Sequence, residues 1–482
     1  MSDWRTSTFE VRLGPPGHGG FCVGRHEGRV VFVRHGLPGE LVRVRVTEDR
    51  GGSFCRADAI EVLEASPDRV PATCPVSGPG GAGCCDFSFA TPVAQRAVKA
   101  TVVAEQLRRV AGIEREVLVE TIGPGDAIGG WRTRVRLAVD AHGRAGVHRY
   151  RSSDVIADLR CPQPVAGALE GVADRLWTPG ADLVIAVDGD GVRHIVELAP
   201  AVEAEPGSRG ADRRGPGGSG RRSEPGGRDR RAGSGRRERP HSRDSRGGRH
   251  GGGGDRRGGE WTAGEFTRRD ERRDASARRA AAHAARDEWV FEGTGRAAEY
   301  VAGRRWEVAA TGFWQAHHGA AQCYSDLVAE WSGLGPGGRA WDLYSGAGVF
   351  AARLAEQAGR TGAVLAVESA RSAVADGAAA LRDLPWVQLR TQRVERWVLE
   401  HVGAAAPDVV VLDPPRAGAG KEVVGAVTAG GPTRIIHVGC DPAAFARDLG
   451  LYQAAGYRLA DLRAFDAFPA THHVECLALL ER

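Results

Sequence analysis

The sequence is nearly devoid of lysine. Lys99 and Lys421 are the only two, so 63 of its 65 basic residues are arginine, a bias that points to GC-rich coding more than to a mechanism. It has no run of 18 apolar residues, which excludes a hydrophobic membrane-spanning helix. Met1-Ser2-Asp3-Trp4-Arg5 lacks the basic-then-apolar pattern of a secretion signal, so a cytoplasmic protein with no membrane partner is expected. Disulfides are also not indicated: nine cysteines, an odd number, are left as thiols or metal ligands.

At 482 residues the chain is long enough for two or three domains with ample core. Its net charge of +4 is unevenly spread. Residues 206–286 hold 23 Arg against 11 acidic residues, a local +12 that leaves the remainder at −8. Over residues 203–287 Gly, Arg, Ser, Pro and Asp dominate. Such a stretch buries too little apolar surface to offset its ordering entropy, and it reads as a disordered insertion. Its Arg-Gly repeats suit non-specific phosphate contact, and an inert expanded loop is the alternative.

Residues 5–65 alternate short β-type runs (Phe9–Leu13, Val30–Val33, Leu41–Val46, Ala59–Leu63) with turn signals at Gly14-Pro15-Pro16-Gly17, Leu37-Pro38-Gly39-Glu40 and Arg50-Gly51-Gly52. Five or so such strands make a small barrel. Gly19-Gly20-Phe21-Cys22-Val23-Gly24-Arg25, followed by Val31-Phe32-Val33 and Leu37-Pro38-Gly39-Glu40, resembles a TRAM domain, which implies an OB-like RNA-binding barrel over residues 1–68.

Cysteines then gather in two places, Cys74 with Cys84-Cys85, and Cys161. Thiolates are the usual ligands of metal and iron–sulfur sites, and loops let them converge. Between them, residues 92–111 read as an amphipathic helix with Val98, Val102, Leu107 and Val110 on one side and Gln95 and Lys99 among its polar positions. Arg132–Asp140 alternates polar and apolar residues and pairs with Ala145–Tyr150 as a hairpin whose arginine face is either solvated or in contact with RNA.

From residue 311 the pattern changes to strand, turn and helix. Trp341-Asp342-Leu343-Tyr344-Ser345-Gly346-Ala347-Gly348 is a strand with a glycine turn, and the next strand ends in Glu368. Glycines there permit close approach of a ligand, and the acid accepts hydrogen bonds from ribose hydroxyls. On that fingerprint alone a nicotinamide cofactor is an alternative. S-adenosylmethionine is favoured by Asp342 at the first strand end and by Asp413-Pro414-Pro415-Arg416 after Val409–Leu412. A further apolar run, Arg434–Gly439, delivers Cys440 to a turn at Asp441-Pro442.

Gln315, the Asp342–Gly348 turn, Glu368, Asp413–Arg416, Gly439–Pro442 and Phe468–Glu475 occur together in that order. The set resembles the TrmA- or RumA-like RNA uracil-5-methyltransferase family. The resemblance implies a C-terminal Rossmann-like class I methyltransferase sheet over 311–482, α/β in class. It is preceded by the barrel and by a central β-rich domain over 69–310. It also implies that Gln315, Tyr344, Glu368 and Asp413 bind S-adenosylmethionine, that Cys440 is the nucleophile and that Glu475 is the base. The implied partner is tRNA or rRNA, bound by a monomer. His472, His473 and Cys476 read as neighbours of the site.

Two positions depart from the family pattern. Asp441 stands where Asn is usual. Among the cysteines, the first of a Cys-x-x-Cys pair falls on Ala82, so Cys74, Cys84, Cys85 and Cys161 leave both a four-iron iron–sulfur cluster and a set of free thiols open.

The chemistry needs these residue types. Carbon 5 of uracil is a weak nucleophile until a thiolate adds at carbon 6, and the surplus proton on carbon 5 then needs a base. A lowered thiol pKa is expected for Cys440, with Arg416 as a nearby cation. Target bases inside folded RNA must be exposed, which implies flipping or loop refolding. Taken singly, Glu368 and Asp413 could cap helices and Glu475 could be a solvated strand residue. Cytosine-5 methylation, a non-catalytic RNA-binding protein and a nicotinamide oxidoreductase are the competing functions.

Overall fold

In the computed structural model, residues 4–123, 125, 127–201, 286–401 and 406–482 are described. Most of the Arg/Gly-rich insertion expected at 203–287 lies outside them. Among the described residues no helix is long and apolar enough to cross a membrane.

The N-terminal strands β1 (Thr8–Gly17), β2 (Phe21–His26), β3 (Arg29–Arg34), β4 (Leu41–Asp49) and β5 (Phe54–Glu64) close into a barrel in the order β1-β2-β3-β5-β4. Alternate residues such as Val31, Val33, Val42 and Val44 fill its interior, as the period of two demands. The expected turn at Gly14–Gly17 is not a turn. The two prolines lie within β1, where the β1–β2 register shifts between Leu13 and Pro16; a bulge accommodates residues that have no N–H to donate. The chain reverses at His18-Gly19-Gly20 instead, with both glycines at positive φ.

Helix α1 (Pro92–Gln106) starts at the Thr91 cap, and its last turn widens into a π-helical segment, Leu107–Ala111. Two expectations about its faces are corrected. Val110, inside the wider turn, is exposed, and Val103 in the regular part of the helix is buried. Gln95 and Lys99 are buried rather than solvated. Lys99 Nζ donates to Asp466 Oδ1 at 2.5 Å and to the Phe468 carbonyl at 3.0 Å, so its charge is paired inside the protein.

A short strand β6 (Val119–Thr121) precedes a six-stranded sheet of β7 (Arg134–Val139), β8 (Ala145–His148), β9 (Val155–Ile156), β10 (Asp182–Val187), β11 (Arg193–Leu198) and β12 (Glu288–Glu292), and then the hairpin β13 (Arg296–Val301) and β14 (Arg304–Ala309). Strands β11 and β12 pair antiparallel, so the chain enters and leaves the insertion at one sheet edge. The arginines of β7 and its lead-in are not uniformly solvated: Arg136 is exposed and paired with Asp182, while Arg132 is half-buried. Arg134 is buried, with one guanidinium nitrogen donating to the carbonyls of Ala309, Ala310 and Gly312 at 3.0–3.2 Å and the other to Glu299.

The C-terminal part alternates α2 (Ala320–Ser332), β15 (Arg339–Leu343), α3 (Val349–Ala358), β16 (Ala363–Glu368), α4 (Arg371–Ala380), β17 (Val387–Thr391), α5 (Val394–Glu400), β18 (Val409–Leu412), α6 (Gly420–Gly430), β19 (Arg434–Gly439), α7 (Pro442–Ala454), β20 (Arg458–Asp466) and β21 (Glu475–Glu481). The sheet order is β17-β16-β15-β18-β19-β21-β20-β6. The five strands from β17 to β19 run parallel and are covered by helices on each side, and the central ones are buried on both faces, whereas the edge strand β17 carries Gln388, Arg390 and Thr391. The chain runs from β15 outward through β16 to β17 and then crosses back to β18 on the other side of β15, which opens a crevice at the carboxyl ends of these strands.

Replacing Lys99 by Met leaves Asp466 buried without its cation and is expected to cost about 3–5 kcal/mol in urea unfolding. Lys99→Met combined with Asp466→Leu should cost less than the single change. Equal losses in the two variants would show that the buried pair is not what stabilises this junction.

Candidate active site

A cavity of about 880 Å³ opens at that crevice. Its wall brings together Gln315, Tyr344, Glu368, Asp413, Cys440 and Glu475, six residues that are up to 160 positions apart in sequence. Gln315 sits in the loop between β14 and α2, and the other five are delivered by the ends of strands. Tyr344 follows β15 at φ 62°, in the left-handed region, and begins the turn into α3. Glu368 ends β16, Asp413 follows β18, Cys440 follows β19 and Glu475 opens β21.

Strand pairing sets the relation between the last two. Strand β21 runs antiparallel to β19 with Gly439 opposite Cys476, which puts Glu475 beside the turn that carries Cys440. The same strand buries Cys476, a neighbour of the site that faces away from solvent.

Several carboxyls meet here without water. Burial pushes the Asp413 carboxyl up to about 7. Burial also pushes Asp342 up to about 8, against the Ala351 backbone N–H, which donates to it, and with Asp413 and Glu368 adding repulsion. Glu475 is driven well above the ordinary carboxyl range by burial and then by Asp413, with Arg416 opposing. A solvated Glu475 is therefore excluded.

The Cys440 thiol is not depressed as expected. Burial raises it to about 12, Glu475 adds to the shift, and Arg416 offsets only part of it. In the free protein Cys440 rests as a thiol.

Glu368 has structural work as well. One oxygen accepts from the Gly346 N–H at 3.2 Å and the other from the Ala370 N–H at 2.7 Å, which ties the glycine turn to the start of α4. The Tyr344 hydroxyl donates to Glu395 at 3.0 Å.

The cavity suits S-adenosylmethionine. The Ser345 hydroxyl on the cavity wall is buried without a partner, and a side chain on Gly346 would meet nothing within 4 Å, so the turn leaves room and an unmet polar group for a ligand. A wall rich in carboxyls suits a cationic sulfonium, and Glu368 at the end of β16 suits hydroxyls.

Sequence reading missed several contributors. Phe313, 75% exposed at the cavity mouth, offers a face on which a base can stack, and the signal was an aromatic in a glycine-led loop. Arg134 holds that loop and Thr133 bonds the Ala316 carbonyl, so the central sheet positions Gln315. His473, which the sequence places beside the site, lines the cavity, with its Nε2 3.3 Å from Arg416.

The four cysteines of the central part stand apart from this cavity. The Cys85 thiol is within hydrogen-bonding reach of Cys74 and Cys84, and Cys161 lies close enough to both to feel their charge. The hydrogen bond from Cys85 brings Cys74 down to about 6, while the same contacts push Cys85 up. Among the described residues, no group of three or more His, Cys, Asp or Glu side chains is disposed to hold a metal ion.

Comparison with known proteins gives a consistent family. A model for the TRAM domain matches residues 5–59, and a model for tRNA (uracil-5-)-methyltransferase matches residues 336–482. An uncharacterized RNA methyltransferase of Streptomyces avermitilis is 38% identical, with 98% of each chain covered. A 23S rRNA (uracil(1939)-C(5))-methyltransferase, RlmD, of Alkalilimnicola ehrlichii is 29% identical over 98% of this chain and 96% of the relative. The Pyrococcus abyssi tRNA (uracil-54, C5)-methyltransferase, solved with S-adenosyl-L-homocysteine, superposes with a TM-score of 0.61 over 98% of this chain and all of that one. At 18% identity, that likeness shows the fold.

With its thiol near pKa 12, Cys440 in the free protein should be alkylated by iodoacetamide at pH 7.5 at least about tenfold more slowly than an ordinary cysteine. The rate should still be climbing at pH 10, followed by peptide mass spectrometry. A fast, pH-independent reaction would mean that the resting thiol is already ionised.

Proposed function

The chain belongs to the S-adenosylmethionine-dependent RNA (uracil-5-)-methyltransferases, and from that premise we propose that Cys440 and Glu475 methylate carbon 5 of a uridine in tRNA or ribosomal RNA by covalent catalysis. The observation that supports this most is the β19–β21 register, which sets a thiol and a buried carboxyl side by side at the mouth of the cofactor cavity.

S-adenosylmethionine, held against Gln315, Tyr344, Glu368 and Asp413, supplies an electrophilic methyl group. The chain's own residues do the rest. The Cys440 thiol first loses its proton to solvent, and the thiolate adds to carbon 6 of the uracil, which turns the ring into an enolate whose carbon 5 is nucleophilic. After methylation carbon 5 carries one proton too many. Glu475 takes that proton, the ring double bond reforms, and the Cys440 sulfur leaves carbon 6.

The raised pKa values fit this sequence of events. A carboxyl whose pKa lies above the usual range is a stronger base than a solvated one, which suits removal of a carbon-bound proton. A thiol at about 12 is inert at rest, and a positive charge brought against the Asp413–Glu475 wall favours the ionised forms of all three groups. Arg416 is the protein's own cation for that purpose.

The thiols of Cys74, Cys84, Cys85 and Cys161 are proposed as the ligand set of an iron–sulfur cluster on their gathering alone, against free thiols, which the absence among the described residues of a group disposed to hold a metal favours. None of the steps above uses it. Anaerobically purified protein should then contain about four iron atoms per chain with matching acid-labile sulfide. Protein free of both would overturn this assignment.

The decisive test is incubation with labelled S-adenosylmethionine and RNA from a methylation-deficient host, followed by nucleoside analysis of separated tRNA and rRNA. 5-Methyluridine is expected in one pool and should be undetectable with Cys440→Ala. Glu475→Gln should slow turnover about 10²–10⁴-fold and accumulate a protein–RNA adduct that survives denaturing gels. Label in cytidine, or full activity of Cys440→Ala, would overturn the mechanism.

A further inference from the structure

The tip of the first barrel hairpin touches both segments that carry the catalytic pair. His18 lies in the turn between β1 and β2, and its Nε2 is 3.0 Å from Asp441 Oδ2, on the residue immediately after Cys440. The other Asp441 oxygen accepts from the N–H groups of Ala443 and Ala444 at 3.1 and 2.9 Å, which caps α7. One carboxylate thus ties the barrel to the helix at the peptide following the nucleophile.

Two residues further on, the same turn meets the lead-in to the base. A Cβ on Gly20, whose φ is +81°, would come within 3.2–3.3 Å of Asp86 and His472. Asp86 is paired to His472 at 2.5 Å and to the barrel residue Arg34 at 2.6 Å. His472 stands three residues before Glu475. The hairpin tip therefore rests on the Cys440 turn with one residue and on the Glu475 loop with another.

Capping does not account for the residue type at position 441. Ser or Asn would satisfy the two N–H groups as well as Asp does. What Asp adds is a second, charged oxygen that reaches His18, and this is the position at which the chain departs from the family's usual Asn. Both partners bear the mark of the contact. The hydrogen bond to Asp441 raises the His18 pKa, and Asp441 is held down to about 2: its burial acts upward, and the bonds from His18 and the α7 N–H groups outweigh it.

We infer that His18 is a positioning residue for methyl transfer: by gripping Asp441 it fixes the turn that presents Cys440, which makes the barrel a working part of the active site. The inference rests on Cys440 as the nucleophile. Misplacement of a reacting atom by a fraction of an ångström slows a reaction without weakening binding, so the loss should fall on kcat.

The test is steady-state methylation by the full chain carrying His18→Ala, Asp441→Ser or both. The Ser keeps the helix cap and is too short to reach His18. Each single variant should lose about tenfold in kcat with KM for RNA within about twofold. The double variant should be no slower than either single one, because both remove the same contact. His18→Gln, which retains a donor, should recover most of the rate. Unchanged kcat, a loss confined to KM, or losses that multiply in the double variant would overturn the inference. Cys440→Ala, run alongside, separates the two readings. If it is inactive while His18→Ala is unimpaired, only the positioning role fails. If it is active, the nucleophile assignment fails first.

Discussion

The antiparallel pairing of β21 with β19 is the constraint on which the rest of this molecule depends. Five parallel strands alone would supply a cofactor crevice with Tyr344, Glu368 and Asp413 at its rim and Cys440 at its edge. Reversal of the chain through β20 and β21 adds Glu475 to the same rim, in a register fixed by Gly439 opposite Cys476. A slip of one residue would turn Glu475 to the other face of the sheet. The fully buried Leu477 and Leu480 hold that register from both faces.

Burial at this junction has an electrostatic consequence. Asp342, Asp413 and Glu475 are brought together where water is excluded, so ionisation of each raises the cost of ionising the others. Burial raises these three carboxyls, and the Cys440 thiol, above their ordinary pKa values. Charge in the substrates is then what the site lacks, and a cavity of this kind suits a cationic donor and an anionic acceptor that arrive together.

Rigidity is imported from far away in sequence. Lys99 and Gln95 of α1 bond the 466–470 loop ahead of Glu475, with Lys99 reaching Asp466 and the Phe468 carbonyl while the Gln95 side-chain oxygen accepts from Ala470. Arg134 and Thr133 hold the loop that carries Gln315. His18 and Arg34 reach in from the barrel. Each of these groups comes from outside the five parallel strands and their helices, so the N-terminal half does structural work for the site: its polar side chains bond the backbone and side chains of the loops that carry the site residues.

The sequence by itself determined the barrel, the parallel strands and the acids at their ends, because alternation, apolar runs and glycine turns are local signals written within ten residues. Asp413-Pro414-Pro415-Arg416 and Gly439-Cys440-Asp441-Pro442 were legible as strand ends for the same reason. Tertiary structure alone decided the charge states and the partners. Whether Cys440 is a thiolate or a thiol depends on how many carboxyls surround it and how little water remains. Whether Lys99, Arg134 or His18 is a solvated charge or a structural clamp depends on contacts made across 175 to 423 positions of chain, and no local pattern encodes them.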